Sequence, residues 1–257
     1  MKKNYFNIIV KNLLKYKNKL IEIEKIKQII SNIMDSDYSE NKAYKMIYLL
    51  KNRWYLLNLK KSIFLAKDPE KQYNEQQLLE MFYRNILKRH CNDFINGKWY
   101  VWWIKALELN LTNFDISDDI LIVNNDKQST ETIMFDKQAS FKKYESDWKS
   151  LFSFFNKYTK KTYIWKNIFP IANLELAILE SLYNPSVINK WYINETVKKV
   201  IRKNKKYLNL NTLEEILKNN KHHTSINRLY KLTIGIDPEL SEKIKNIIKK
   251  YSYFIND

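Results

Sequence analysis

Asn41, Lys42, Lys45 and Tyr48 bring amide, ammonium and phenol groups within about two helical turns of one another. Such groups hydrogen-bond to base edges in a DNA major groove. Lys60 and Lys61 open a polar Lys-Lys-Ser turn between two apolar runs, where an ammonium meets a phosphate rather than a base. With Arg53 between the two groups, these seven residues are the candidate DNA-binding set.

They act together only if a helix presents the first four and a hairpin the last two. Ser39 is a suitable N-cap, because its hydroxyl accepts from a backbone N–H that the first helical turn leaves unpaired. Ala43, Met46, Ile47 and Leu50 then recur at i, i+3, i+4 and i+7, one face of a helix, which puts Asn41, Lys42, Lys45 and Tyr48 on the other. Past Arg53 the pattern becomes strand-like from Trp54 to Leu59 and again from Ile63 to Ala66, and Asp68-Pro69 ends it. Upstream, Ile23, Ile26, Ile29, Ile30 and Ile33 keep helical spacing, and Asp35-Ser36-Asp37 breaks it. A further amphipathic helix is predicted from Tyr5 to Tyr16, with Phe6, Ile9, Val10, Leu13 and Leu14 inward. Helix, short polar turn, helix and hairpin is the order of a winged helix-turn-helix. An ordinary helix and hairpin with a solvated charged face carries the same pattern.

A second basic cluster, Lys198, Lys199, Arg202, Lys203, Lys205 and Lys206, reads either as a solvated helix face or as a second phosphate- or RNA-binding surface. Other chemically able residues are poorly placed. His222-His223 reads as a solvated loop pair, because His90 and Cys91 are the only other histidine and the only cysteine. His90 and Cys91 are adjacent, and neighbours on a helix point apart, so they form no dyad. Glu108, Asp119, Asp126 and Glu131 lie near expected strands with Lys137 downstream; converging, two of them hold Mg²⁺ in a nuclease, and apart they are turn residues. Trp99, Tyr100, Trp102 and Trp103 form either a stacking platform or a buried core. No catalytic residue, metal or cofactor is expected.

The charge is concentrated where the candidate binding residues lie. The 257 residues carry +17. Residues 1–70 hold 15 Lys and Arg against 7 acids, 71–188 hold 15 against 14, and 189–257 hold 15 against 7. Each end therefore carries +8 and the middle only +1, a distribution suited to phosphate binding at the ends. Only Gly97 and Gly235 are glycine, which excludes Walker loops, dinucleotide fingerprints and nucleophile elbows. At 45% hydrophobic and 14% aromatic the chain is globular, with no apolar run of the ~20 residues that cross a bilayer. One cysteine and no visible signal peptide lead to the expectation of a cytoplasmic protein.

The expected fold class is α+β. Residues 1–70 form a winged-helix domain, and DPEKQYN marks the boundary. Residues 71–257 form a second domain, strand-rich over 99–170 and helical over 171–257. A helix is predicted from Glu75 to His90, with Leu78, Leu79, Phe82, Ile86 and Leu87 inward, and Lys105–Leu111 extends the aromatic run. Strands are predicted at Ile120–Val123, Thr132–Phe135, Leu151–Phe155 and Tyr163–Phe169, with Asn124–Asp126 and Asp136-Lys137 as turns. A helix capped by Asn173 carries Leu174, Ala177, Ile178 and Leu182 to a stop at Asn184-Pro185. Further helices follow at Asn194–Lys203, Thr212–Asn219, Thr224–Leu232 and Pro238–Tyr253.

The order of these segments resembles the AbiEi-type antitoxins of type IV toxin–antitoxin systems. MIYLLKNRWYLLNLKKSIFLAKDP is similar to that family's recognition helix and wing. WYVWWIKALELNLTN, IFPIANLELAILESLYNP and SINRLYKLT are similar to three of its later segments, in the same order. The chain departs from the family where Ser62, Asn110 and Leu229 replace customary glycines. The resemblance implies a repressor that binds inverted repeats in its own promoter as double-stranded DNA. It also implies a C-terminal domain that counteracts a nucleotidyltransferase toxin, directly or indirectly. The alternative is a nucleic-acid enzyme, such as a metal-dependent nuclease, or an RNA-binding factor that uses the N-terminal module for targeting.

Overall fold

The structure, a computed structural model, describes residues 5–60, 62–70, 75–126, 129–135, 137–143, 149–164, 167–183, 189–219, 221–251 and 253. It is a mixed α+β chain with two sheets. The chain divides into two compact units, Met1–Tyr83 with Ile133–Phe135, and Arg84–Thr132 with Asp136–Asp257. The expected boundary segment at 68–74 lies partly outside the described residues, at 71–74.

The N-terminal unit begins with α1 (Tyr5–Leu13), which tightens into a short 3₁₀ turn at Leu14–Tyr16. Strand β1 (Lys19–Glu22) leads directly into α2 (Ile23–Met34). A polar turn at Asp35–Asp37 is followed by α3 (Glu40–Asn52), then β2 (Leu56–Lys60) and β3 (Ile63–Ala66). The three strands form an antiparallel sheet in the order β1-β3-β2. The apolar stripes read from the sequence meet in one core: Ile9 and Leu13 from α1, Ile26, Ile30 and Met34 from α2, and Ala43, Ile47 and Leu50 from α3. Each large aliphatic buried there is worth roughly 1.5–3 kcal/mol over its exposed state.

Strand β1 has no counterpart in the sequence pattern. Asn18 adopts a left-handed conformation (φ 60°), and its N–H donates to the Ala66 carbonyl at 2.9 Å, which starts the pairing of Lys19–Glu22 with Ala66–Ile63. The partner lies more than forty residues away, so four residues of mixed polarity carry no local sign of it.

The second unit opens within α4 (Glu75–Phe94), which buries Leu78, Phe82, Ile86 and Leu87. A six-stranded sheet is built from β4 (Trp99–Val101), β5 (Asp119–Asn124), β6 (Thr130–Met134), β7 (Lys137–Lys143), β8 (Thr159–Ile164) and β9 (Asn167–Ala172), in the order β6-β7-β5-β4-β9-β8, and all of it but Ile133 and Met134 of β6 belongs to this unit. Helices α5 (Trp103–Asn110), α6 (Lys149–Phe155), α7 (Leu174–Tyr183), α8 (Lys190–Asn204), α9 (Leu210–Leu217), α10 (His223–Ile234) and α11 (Pro238–Lys250) complete it. Every residue from Leu174 to Leu182 is buried, so α7 is a central helix. Asn173 caps its start, accepting from the Leu176 N–H at 2.9 Å, and Arg228 caps its end by donating to the Leu182 and Tyr183 carbonyls at 2.6 Å.

Two expectations are corrected. Leu151–Phe155 is helical, within α6: Phe152 and Phe155 are buried three residues apart and Ser153 is exposed between them, a helical spacing. The Tyr163–Phe169 run is the end of one strand and the start of the next, β8 and β9, with residues 165–166 outside the described set. The aromatic run is divided: Trp99 and Tyr100 lie in β4 and are buried, whereas Trp103 starts α5 at φ 63°. The proposed stops at Asp136 and at Asn184-Pro185 lie outside the described residues.

Candidate nucleic-acid interface

Helix α3 is fixed on three sides. At its start, Ser39 Oγ accepts from the Lys42 N–H at 3.3 Å. Along its inner face Ala43, Ile47 and Leu50 are buried. Toward α2, the nearly buried Lys27 ammonium lies 3.1 Å from Glu40, 3.3 Å from Glu24 and 4.6 Å from the centre of the Tyr44 ring. Tyr44 and Glu40 hold that ammonium well above its ordinary proton affinity, so Lys27 is a fixed cation binding α2 to α3. Its position on an isoleucine-rich helix disguised this role in the sequence.

The outer face of α3 is solvent-facing. Asn41, Lys42, Lys45 and Tyr48 are all exposed, Tyr48 at 62%. Asn41, Lys45 and Tyr48 stand at i, i+4 and i+7, one above the other, and Lys45 and Tyr48 line a shallow groove with Tyr44 and Leu49. Lys42 is less extended, since its ammonium donates to the Asp37 carbonyl at 2.9 Å across the turn that precedes the helix. Tyr44 and Leu49, absent from the candidate set, are 48% and 42% exposed beside it.

The end of α3 departs from ordinary chemistry. Arg53 lies over the Phe6 ring at 4.5 Å, so it braces α1 as well as facing solvent. Trp54 follows at φ 62°, with its N–H donating to Lys51 and the Tyr55 N–H donating to Leu50, each at 2.9 Å. This is a Schellman ending with tryptophan in the position that glycine usually takes. The indole is 61% exposed, and the Lys67 ammonium lies 5.2 Å from its ring centre.

Strands β2 and β3 form the hairpin expected after α3, with a bulge between Asn58 and Lys60. Lys60 ends β2 opposite Ile63, and Lys61 lies outside the described residues. The Ser62 carbonyl accepts from the Ile23 N–H at 2.9 Å, which anchors the hairpin end to the start of α2.

On the second unit, Lys199, Arg202, Lys203, Lys205 and Lys206 are exposed along α8 and the 3₁₀ turn Lys205–Tyr207, and Lys198 is half-buried. Lys198 pairs with Glu195 at 2.8 Å and Lys205 with Asp237 at 2.6 Å.

The other candidates separate. Glu108 receives Lys105 at 2.7 Å and the Tyr192 hydroxyl at 2.5 Å; burial and that carboxylate push the Tyr192 phenol up to about 12. Asp126 accepts from the Asn96 N–H at 3.1 Å, and Asp119 and Glu131 face solvent. No group of three or more His, Cys, Asp or Glu able to hold a metal occurs among the described residues. His222 corrects the expected solvated pair: it is 6% exposed, edge-on to Phe155 and Tyr183. Local sequence placed it beside a turn, and aromatic partners distant in the chain buried it. Glu180 is a further buried group that the sequence hid. It is 1% exposed and accepts from the Tyr100 hydroxyl at 3.0 Å, and burial holds its carboxyl well above its ordinary range.

No helix among the described residues is long and apolar enough to cross a membrane. No family model and no curated protein matches this sequence. Among solved structures, the chain is similar in fold to the RV2827C protein from Mycobacterium tuberculosis, with a TM-score of 0.59 and 12% identity over 95% of this chain and 81% of that one.

Proposed function

We propose that residues 5–66 are a winged helix that binds double-stranded DNA, and that the chain is a non-enzymatic transcriptional repressor of its own promoter. The observation that carries the reading is the exposed Asn41–Lys45–Tyr48 stripe on α3, in a unit ordered α1-β1-α2-α3-β2-β3. In this reading α3 enters the major groove, and Lys60 and Lys61 lie along the phosphate backbone from the hairpin. Lys42 and Arg53 flank the stripe and add positive charge at its edges. Inverted repeats in the promoter seat two copies.

The test is binding to a duplex from the promoter region, read by fluorescence anisotropy across a salt series. Lys45→Ala with Tyr48→Ala removes two groove contacts at ~1–3 kcal/mol each, so affinity drops at least about thirtyfold. Lys60→Ala with Lys61→Ala flattens the salt slope by about 2, near 0.9 per phosphate. Unchanged affinity and slope in both variants refute the interface.

The resemblance to AbiEi-type antitoxins extends the proposal to relief of a nucleotidyltransferase toxin by the second unit. Co-expression with a toxin encoded beside this chain then restores growth, and the Lys45→Ala, Tyr48→Ala variant still restores it. A toxin whose arrest is unaffected removes the antitoxin reading and leaves the repressor. Mg²⁺-dependent cleavage of DNA or RNA by the purified chain contradicts both.

A further inference from the structure

Helix α8 shows two faces of opposite character. Ile193, Val197, Val200 and Ile201 are 0–1% exposed and form its inner side. Trp191, Lys198 and Arg202 stand on the outer side at i, i+7 and i+11, with Lys199 and Lys203 beside them. Lys190–Tyr207 holds seven Lys and Arg against one acid, Glu195. Lys198 and Lys205 are already neutralised by Glu195 and Asp237, whereas Lys199, Arg202 and Lys203 are exposed and form no ion pair among the described residues.

Aromatic rings mark the two ends of this cationic strip. Trp191 is 71% exposed and Tyr207 is 64% exposed. Lys206 lies 4.9 Å from the centre of the Tyr207 ring, and a shallow depression beside it is lined by Asn209 and Asn211 as well. An exposed ring is common by itself, and what sets Trp191 and Tyr207 apart is that they flank a run of exposed cations. Trp191 and Arg202 are about 16 Å apart along the axis at ~1.5 Å per residue, enough for several nucleotides.

We propose that this face binds single-stranded RNA, with bases stacked on Trp191 and Tyr207 and phosphates held by Lys199, Arg202 and Lys203. Three observations choose the occupant. An intact duplex offers no unstacked base to two exposed rings, whereas a single strand does. A lipid surface requires an apolar face to insert, and that of α8 is buried in its own unit. Asn209 Oδ1 is taken up in capping α9, accepting from the Asn211 and Thr212 N–H groups, and the exposed Asn211 amide next to Tyr207 suits a 2′-hydroxyl, which both donates and accepts. The inference is independent of DNA binding by the first unit.

The test uses the full chain and a labelled mixed-sequence oligoribonucleotide of roughly 12 nucleotides, a length within the span of single-strand grooves. The expected result is that Trp191→Ala and Tyr207→Ala each weaken RNA binding by about fivefold or more, as loss of one stacked base does. Arg202→Glu weakens it further and flattens its salt dependence. Lys45→Ala with Tyr48→Ala leaves it unchanged. The proposal is overturned if the Trp191 and Tyr207 variants bind RNA like the parent chain. It is equally overturned if single-stranded DNA, a duplex or polyglutamate competes for this face as well as RNA does.

Discussion

Removing the titratable ring of His222 should change how stability depends on pH. The ring lies 5.3 Å from Phe155 and 6.1 Å from Tyr183, and its Nδ1 is 3.4 Å from the Ser225 hydroxyl. Burial, helped by the charge of neighbouring His223, lowers its pKa from 6.5 to about 4. The start of α10 also disfavours a cation there. The folded chain therefore keeps the ring neutral where the unfolded chain takes up a proton. The stabilisation is complete above pH 6.5 and declines as pH falls toward 4. Lowering the pKa from 6.5 to about 4, at ~1.36 kcal/mol per pH unit, gives a loss of about 3 kcal/mol across that window. His222→Phe keeps an aromatic ring in the cluster and removes the proton site. Urea unfolding of both chains between pH 7.5 and 4 should show the parent losing about 3 kcal/mol more than the variant. A proton NMR titration adds a direct reading, because the chain has only three histidines. Parallel pH dependence of the two chains, or a His222 resonance that titrates near 6.5, refutes the burial argument.

Two other side chains carry testable consequences. Glu180 has a raised folded-state pKa, so its stabilisation is complete below about 4.5 and lost as pH rises through the folded value. Glu180→Gln removes this limb, and its stability relative to the parent should rise between pH 5 and 8 in urea titrations; a gap that closes instead contradicts the assignment. Trp54→Gly relieves a left-handed tryptophan and should stabilise the first unit by roughly 0.5–1 kcal/mol, read as a higher urea midpoint. A lower midpoint means that packing of Lys67 on the indole outweighs the backbone strain.

Helices with a complete apolar stripe and a cap were legible from the residues alone. Ser39 with Ala43, Ile47 and Leu50 defined α3, Asn173 marked the start of α7, and the isoleucines from Ile23 onward defined α2. Each depends on contacts within one or two turns, so neighbouring residues contain the information. The exposed stripe Asn41, Lys45 and Tyr48 was legible for the same reason, since burying one helical face exposes the other.

What required the folded chain depends on partners far apart in sequence. Strand β1 exists because β3 pairs with it, and Leu151–Phe155 is helical because its packing suits a helix, although the run alone suits either state. Lys27, His222 and Glu180 look like ordinary surface residues in the sequence. Glu40 and Tyr44 hold the Lys27 proton, Phe155 and Tyr183 enclose His222, and burial raises the proton affinity of Glu180 against the hydrogen bond from Tyr100. On α8 the sequence determined a run of positive charge. The tertiary structure decided which cations are neutralised, by pairing Lys205 with Asp237, and left Trp191 in water, because the opposite side of that helix fills the core.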